Sequence, residues 1–116
     1  MAKRYLWVIP KEDKPITSFK SATGWISPSH FLGLVRHQGR VIEHGKKRYM
    51  TEKEQRSMMS EKTIRELKLK FKRRTPIDIP FVDIQKGKVI EHEGRHRAYA
   101  AKEIGIKRIP VRFYLR

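Results

Sequence analysis

The chain has no cysteine, which excludes a disulfide framework, zinc–cysteine sites and thiol chemistry. It has no run of 18 consecutive apolar residues, so no membrane-spanning helix is expected. The apolar stretch Tyr5–Ile9 follows Lys3-Arg4 but is too short for the core of a secretory signal. No Walker-type glycine loop occurs, which argues against P-loop ATPase chemistry. Acids are scarce: 12 Asp and Glu stand against 28 Lys and Arg, a formal net charge of +16 over 116 residues. That excess favours a polyanionic partner, nucleic acid first, with an anionic membrane surface or an acidic protein as alternatives. The size predicts one domain, residues 1–116, with a modest core, and the expected setting is the cytoplasm.

The strongest local pattern is the stretch 87–110, G-K-V-I-E-H-E-G-R-H-R-A-Y-A-A-K-E-I-G-I-K-R-I-P. Val89-Ile90-Glu91-His92 is β-prone, and Glu93-Gly94 makes a break. Arg95-His96-Arg97 then opens a run of strong helix formers, Ala98, Ala100, Ala101, Lys102 and Glu103. Gly105 is a natural C-terminal stop, with Pro110 beyond it. The reading is strand, glycine turn, helix. A helix N-terminus carries unpaired N–H groups and about half a positive charge, so it normally prefers acidic side chains. Two arginines and a histidine there run against that rule. An anion at the helix mouth resolves the conflict, and phosphate is the usual one.

Upstream, Tyr5–Ile9 reads as a buried strand ended by Pro10, and residues 11–24 as a loop. Ser27-Pro28 predicts an N-cap and a first helical residue. The helix would run to about His37, with Phe31, Leu34 and Val35 on one face, and stop at Gln38-Gly39. Residues 40–50 read as a hairpin turning at Gly45-Lys46. Residues 39–44 nearly repeat residues 87–92, 48 positions on, which a duplicated β unit or coincidence would explain equally. Thr51 and Glu54 fit a capping box. Ser60 caps a second helix, from Glu61 to about Arg73, whose core stripe is Ile64, Leu67, Leu69 and Phe71. Residues 76–84 read as a strand that Pro80 breaks or pushes to an edge, 85–88 as a turn into a central strand, and 109–116 as a terminal strand. The expected fold class is α/β in the broad sense (α+β), a small mixed sheet with packed helices.

Between Val41 and Thr75, 12 Lys and Arg face 5 acids. The densest basic patch is Lys68, Lys70, Lys72, Arg73 and Arg74, which reads as the wall of a groove tracking nucleic-acid phosphates, partly complementing the helix dipole. Trp25, in a polar stretch beside Gly24, is the best candidate for stacking on a base, ahead of Tyr49 and Tyr99, while Trp7 reads as core. His30, His37 and His44 read as surface or packing residues.

The run from Val89 to Val111 resembles the signature of the ParB/sulfiredoxin superfamily. Members often read strand, acidic residue, Gly-x-[His/Arg]-Arg, alanine-rich helix, Leu/Ile-Gly and Ile-Pro-Val. Glu93-Gly94-Arg95-His96-Arg97 stands at the motif, residues 98–104 at the helix and Ile109-Pro110-Val111 at the closing strand, and the resemblance covers about residues 61–116. It implies a small α/β fold whose turn holds nucleotide or nucleic-acid phosphates at Gly94, His96 and Arg97, with Arg95 transferred less firmly because that position varies. Sulfiredoxin chemistry is removed by the missing cysteine. A helix-turn-helix domain like that of segregation proteins does not follow the motif here, so the expectation is a stand-alone module.

Phosphate contact is therefore expected from Gly94, Arg95, His96 and Arg97, because arginine forks match phosphate oxygens and histidine donates or moves a proton near neutral pH. Glu91 and Glu93, two apart on a strand, would share a face and could hold Mg2+ or Mn2+, or Glu93 could serve as a base or pair with a motif arginine. His92 would face the other way in a structural role. The expected function is DNA binding, ahead of RNA, with metal-dependent nicking of phosphodiester bonds by His96, Arg97 and Glu93 as its catalytic form. The rivals are an ATP-dependent phosphotransferase like the superfamily's serine kinases and a non-catalytic nucleic-acid-binding regulator.

Overall fold

The computed structural model describes residues 5–9, 20–35 and 40–115. The elements run β1 (Trp7–Val8), β2 (Lys20–Ile26), α1 (Pro28–Val35), β3 (Arg40–Glu43), β4 (Lys46–Tyr49), α2 (Glu52–Ser57), α3 (Glu61–Lys72), β5 (Ile77–Asp78), β6 (Phe81–Gln85), β7 (Lys88–Glu93), α4 (Arg95–Glu103) and β8 (Ile109–Leu115). The fold is α+β. A four-stranded sheet has the order β2-β8-β6-β7, in which β8 runs parallel to β6 and the other pairs are antiparallel. The β1-β5 and β3-β4 pairs stand outside it. None of the described helices is long and apolar enough to cross a membrane; α3 has 12 residues.

Alternation along the strands sorts the sheet into two faces. Val82, Ile109 and Val111 are buried on the face that meets the helices. Against them lie Ala98, Tyr99, Ala100 and Ala101, four successive residues that are at most 2% exposed. A helix buried on every side needs small residues where its neighbours approach, and the alanines supply them. Phe31, Leu32 and Val35 of α1 and Ile64 and Phe71 of α3 complete the core. Trp7 and Tyr5 are partly buried and meet the Phe71 ring edge-on, at 5.4 and 5.6 Å.

Local chemistry explains most of the element ends. Thr51 Oγ1 accepts from the Glu54 N–H at 3.2 Å while Glu54 accepts from the Thr51 N–H at 3.1 Å, the reciprocal box read in the sequence. Ser60 caps α3 through the Thr63 N–H. Helix α4 closes with Gly105 in the left-handed region (φ 85°), its N–H on Lys102 O and the Ile106 N–H on Ala101 O. Helix α3 closes the same way, but with Arg74 at the left-handed position (φ 55°).

Several expectations change. Residues 20–24, read as loop, belong to β2, which pairs with β8 along its whole length, and Trp25 therefore sits on a strand, 57% exposed. The apolar character of β8 selects this partner, and nothing local in Ser21-Ala22-Thr23-Gly24 announces it. The turn of the first hairpin falls at His44-Gly45, both at positive φ, one residue earlier than read; Lys86-Gly87 does the same between β6 and β7. The near repeat is thus no duplicated unit: one copy precedes its hairpin turn and the other follows it. Pro80 breaks the strand read over 76–84 into β5 and β6. β7 is an edge strand of the sheet, and β8 is internal. Leu69 is 42% exposed on α3, outside the core. The end of the first helix read at 36–39, and Pro10 with residues 11–19, lie outside the described residues.

Replacing Arg74 with glycine removes the penalty of a Cβ at φ 55°. Urea unfolding should show Arg74→Gly to be more stable by about 0.5–1 kcal/mol; an unchanged or lower midpoint contradicts this account of the α3 terminus.

Candidate functional site

Between β7 and α4 the chain turns within one residue. Gly94 is the N-cap, at φ 117° and ψ 17°, with no side-chain cap and no acid in the first turn of α4. A Cβ on Gly94 would stand 2.5 Å from Pro80 Cβ and 3.0 Å from Pro80 Cα. Glycine is required here twice over, for the backbone angle and for the approach of the β5–β6 connection. Pro80 is itself held, because its carbonyl accepts from the Arg112 N–H at 2.9 Å.

The motif side chains divide their tasks. Arg97 points back under the turn, where Nη1 donates to Asp78 O at 2.6 Å and Ile79 O at 3.3 Å, while Nη2 pairs with Glu93. Its side chain is 14% exposed, so this guanidinium clamps the fold at the helix mouth. His96 Nε2 accepts from the backbone N–H of Ser60 at 3.4 Å. That bond joins the N-terminus of α4 to the N-terminus of α3. Burial first, then the charges of Arg95, Arg56 and Arg97, lower the His96 pKa and hold the ring neutral near pH 7. Arg95 has no ion-pair partner among the described residues. It is half-buried at the lip of a cleft.

That cleft, open to solvent and about 510 Å³ in volume, is bounded by the motif on one side and by α2 with its flanks on the other. Residues 93–96 and His92 form the first wall; Met50, Met58, Met59 and Gln55 form the second. Gln55 is 1% exposed, and its Nε2 has no hydrogen-bond partner among the described residues. Tyr99 Oη lies 2.8 Å from Gln55 Oε1 and 3.1 Å from Glu52 O. One hydroxyl proton can serve only one of those acceptors. If it serves Glu52 O, the Gln55 amide turns over, donates to Tyr99 and leaves its oxygen unpaired. Either way one polar atom of a buried amide lacks a partner, a deficit of about 1–3 kcal/mol. Burial pushes the Tyr99 hydroxyl up to about 12, so it stays protonated.

The second wall is held by ions. Arg48 grips Glu54, Lys102 grips Glu52, and Arg56 joins Glu61 at 2.7 Å to Glu103 at 2.6 Å, with Lys68 also on Glu103 at 2.9 Å. Arg56 and Lys68 hold the Glu103 carboxyl at about 2. Lys68 is therefore committed within the fold, unlike Lys70, Lys72, Arg73 and Arg74, which are exposed and have no ion pair among the described residues.

For Glu91 and Glu93, the register with Asp83 and Phe81 places both on the sheet face away from the helices, with the bulge at Ile90 setting the phase. Glu93 is taken by Arg97. Glu91 is exposed, with no ion pair among the described residues. No group of three His, Asp or Glu suited to a metal occurs among the described residues. His92 faces the helices, as read, and lines the cleft. His92 and His96 stand four apart in H-E-G-R-H, so the expected absence of a His-x-x-x-His spacing does not hold. Gly94 breaks the backbone between them, so they do not share a helix face as such a pair does. Gln55 and the methionines were missed too. The Met58-Met59 pair after a capped helix was the available signal; a glutamine among charged residues offers none.

No family model, curated protein or solved structure matches the chain.

Two outcomes follow. Gly94→Ala should cost about 2–5 kcal/mol in chemical unfolding, from the left-handed backbone plus the Pro80 contact; a loss under 1 kcal/mol contradicts the close approach. His96, with its folded pKa below 6.5, contributes stability that is complete above pH 6.5 and is lost as pH falls through the folded value. Proton NMR should place its titration below 6.5, and His96→Gln should flatten the loss of stability across that range.

Proposed function

We propose that the chain is a nucleic-acid-binding module of ParB/sulfiredoxin type, acting on DNA, in which the Gly94–Arg97 turn seats a backbone phosphate. The observation that carries this reading is the uncapped N-terminus of α4, without an acid in its first turn, opening onto a cleft beside an uncommitted Arg95. Backbone N–H groups there point outward, the helix dipole favours an anion, and Arg95 adds a fork for its oxygens. The joined N-terminus of α3 adds to the same field. In this reading Arg95 and the N–H groups of residues 95–97 touch the phosphate, His96 holds the two helices together, and Arg97 sets the turn. The roles differ from a motif in which every basic residue binds ligand.

The geometry favours binding ahead of turnover. Hydrolysis would use a water to attack phosphorus while the bond to the leaving oxygen breaks and that oxygen takes a proton. Mg2+ or Mn2+ commonly takes one or two carboxylates plus phosphate oxygens. Glu91 is the carboxylate of the expected pair without an ion pair, whereas Glu93 is held by Arg97. A phosphotransferase would need an acid at the cleft, and Glu93 is the acid bordering it, so the same pairing weighs against that reading.

The test is anisotropy titration of labelled DNA over a salt series, with plasmid nicking in Mg2+ or Mn2+ run alongside. Arg95→Ala should weaken binding about 10-fold or more and lower the salt slope by about one, as should the Arg73→Ala, Arg74→Ala pair in its own increment. Wild-type affinity in Arg95→Ala contradicts a phosphate at this turn. Metal-dependent nicking that His96→Ala abolishes without loss of binding would convert the module into a nuclease.

A further inference from the structure

A phosphate fills little of a cleft of about 510 Å³, and its far wall is not built for one. That wall is three methionines and a buried amide with one atom unpaired. Thioethers are polarizable and make favourable contacts with flat rings. A buried amide with an unmet hydrogen bond suits a polar ring edge, as glutamine does when it reads a base. Phosphate seat, thioether wall and amide together describe a nucleotide unit. What indicates that the unit belongs to a strand is α3. This helix begins at Ser60, bonded to His96 beside the cleft, and spans 12 residues, about 18 Å. Its exposed Lys62, Arg65 and Lys72 share one face with Glu66 and Leu69, and Lys70, Arg73 and Arg74 follow. This is a basic ridge leading away from the cleft, suited to neighbouring phosphates that a free nucleotide lacks.

Resting on the phosphate reading above, we infer that the cleft takes one unstacked base of a single-stranded segment of the bound nucleic acid. The base lies against Met58 and Met59 and its edge meets Gln55. A base paired in a duplex presents neither its face nor its full edge, so the module prefers single-stranded or frayed segments. Gln55 acts as a specificity-determining residue, and Tyr99 positions its amide.

The test uses the full chain and a fluorescein-labelled 12-nucleotide DNA strand in three forms: intact, with one abasic position at its centre, and annealed as a blunt duplex. A 2-aminopurine version reports unstacking, and nucleoside monophosphates compete in a separate arm. The wild type should bind the intact single strand about 10-fold more tightly than the duplex, and 2-aminopurine emission should change on binding. In an oligonucleotide shortened until one base fits the cleft, the abasic form should bind about 10-fold more weakly. Gln55→Leu and Met58→Ala should each erase most of that preference while keeping binding to the abasic strand. Met58 is 70% exposed, so its replacement leaves the core intact even if Gln55→Leu unfolds. Equal affinity for the shortened intact and abasic strands overturns the inference. So does a mononucleotide that binds as tightly as the strand, which makes the cleft a free-nucleotide site. If Arg95→Ala weakens every form while base preference is absent, only this inference fails; if Arg95→Ala changes nothing, the phosphate reading fails with it.

Discussion

The helix mouth depends on one steric constraint, the contact of Gly94 with Pro80. The β5–β6 connection can lie under the turn only because position 94 has no Cβ, and Arg97 then closes the contact by donating to the carbonyls of Asp78 and Ile79. With Pro80 bonded through its carbonyl to β8, the start of α4 is fixed against the centre of the sheet. The motif wall of the cleft inherits its position from that junction: Arg95 at the lip, His96 reaching to Ser60, and Glu93 neutralising Arg97 from the strand.

The electrostatics follow from how the positive charge is distributed. Arg48, Arg56, Lys68, Arg97 and Lys102 are matched to carboxylates, and two of those pairs, Arg56–Glu103 and Lys102–Glu52, tie α2 to α4. With 28 basic and 12 acidic residues, the bases outnumber the carboxylates that could pair with them. Among the described residues, a row of cations without ion pairs runs along α3, and Arg95 stands alone at the mouth of α4. Such a field adds to burial in keeping His96 uncharged, and it works against the compact fold through self-repulsion. An anion bound only by the native state would stabilise it.

The elements that were legible in the sequence are those whose determinants are local. The capping box at Thr51, the cap at Ser60 and the stop at Gly105 each use side chains or backbone within a few residues, and each formed where it was read. The strand β2 was not legible, because Ser21, Thr23 and Gly24 acquire their extended form from β8, some 90 positions away. The order of the sheet, with β7 at its edge, is likewise a property of pairing between distant strands. In the candidate site the glycine turn was readable and the division of labour was not. Arg97 and Arg95 are the same residue type two positions apart, and only the packing of residues 78–80 under the turn commits one and leaves the other. Gln55 gave no pattern to read, since its meaning comes from burial against Tyr99.

The most direct measurement of the central claim is an amide-resolved NMR titration with a short 5′-phosphorylated DNA strand. A phosphate seated at α4 predicts that the backbone amides of residues 95–97 shift first and furthest. Shifts confined to the exposed lysines and arginines of α3, with residues 94–97 unmoved at saturation, would contradict it.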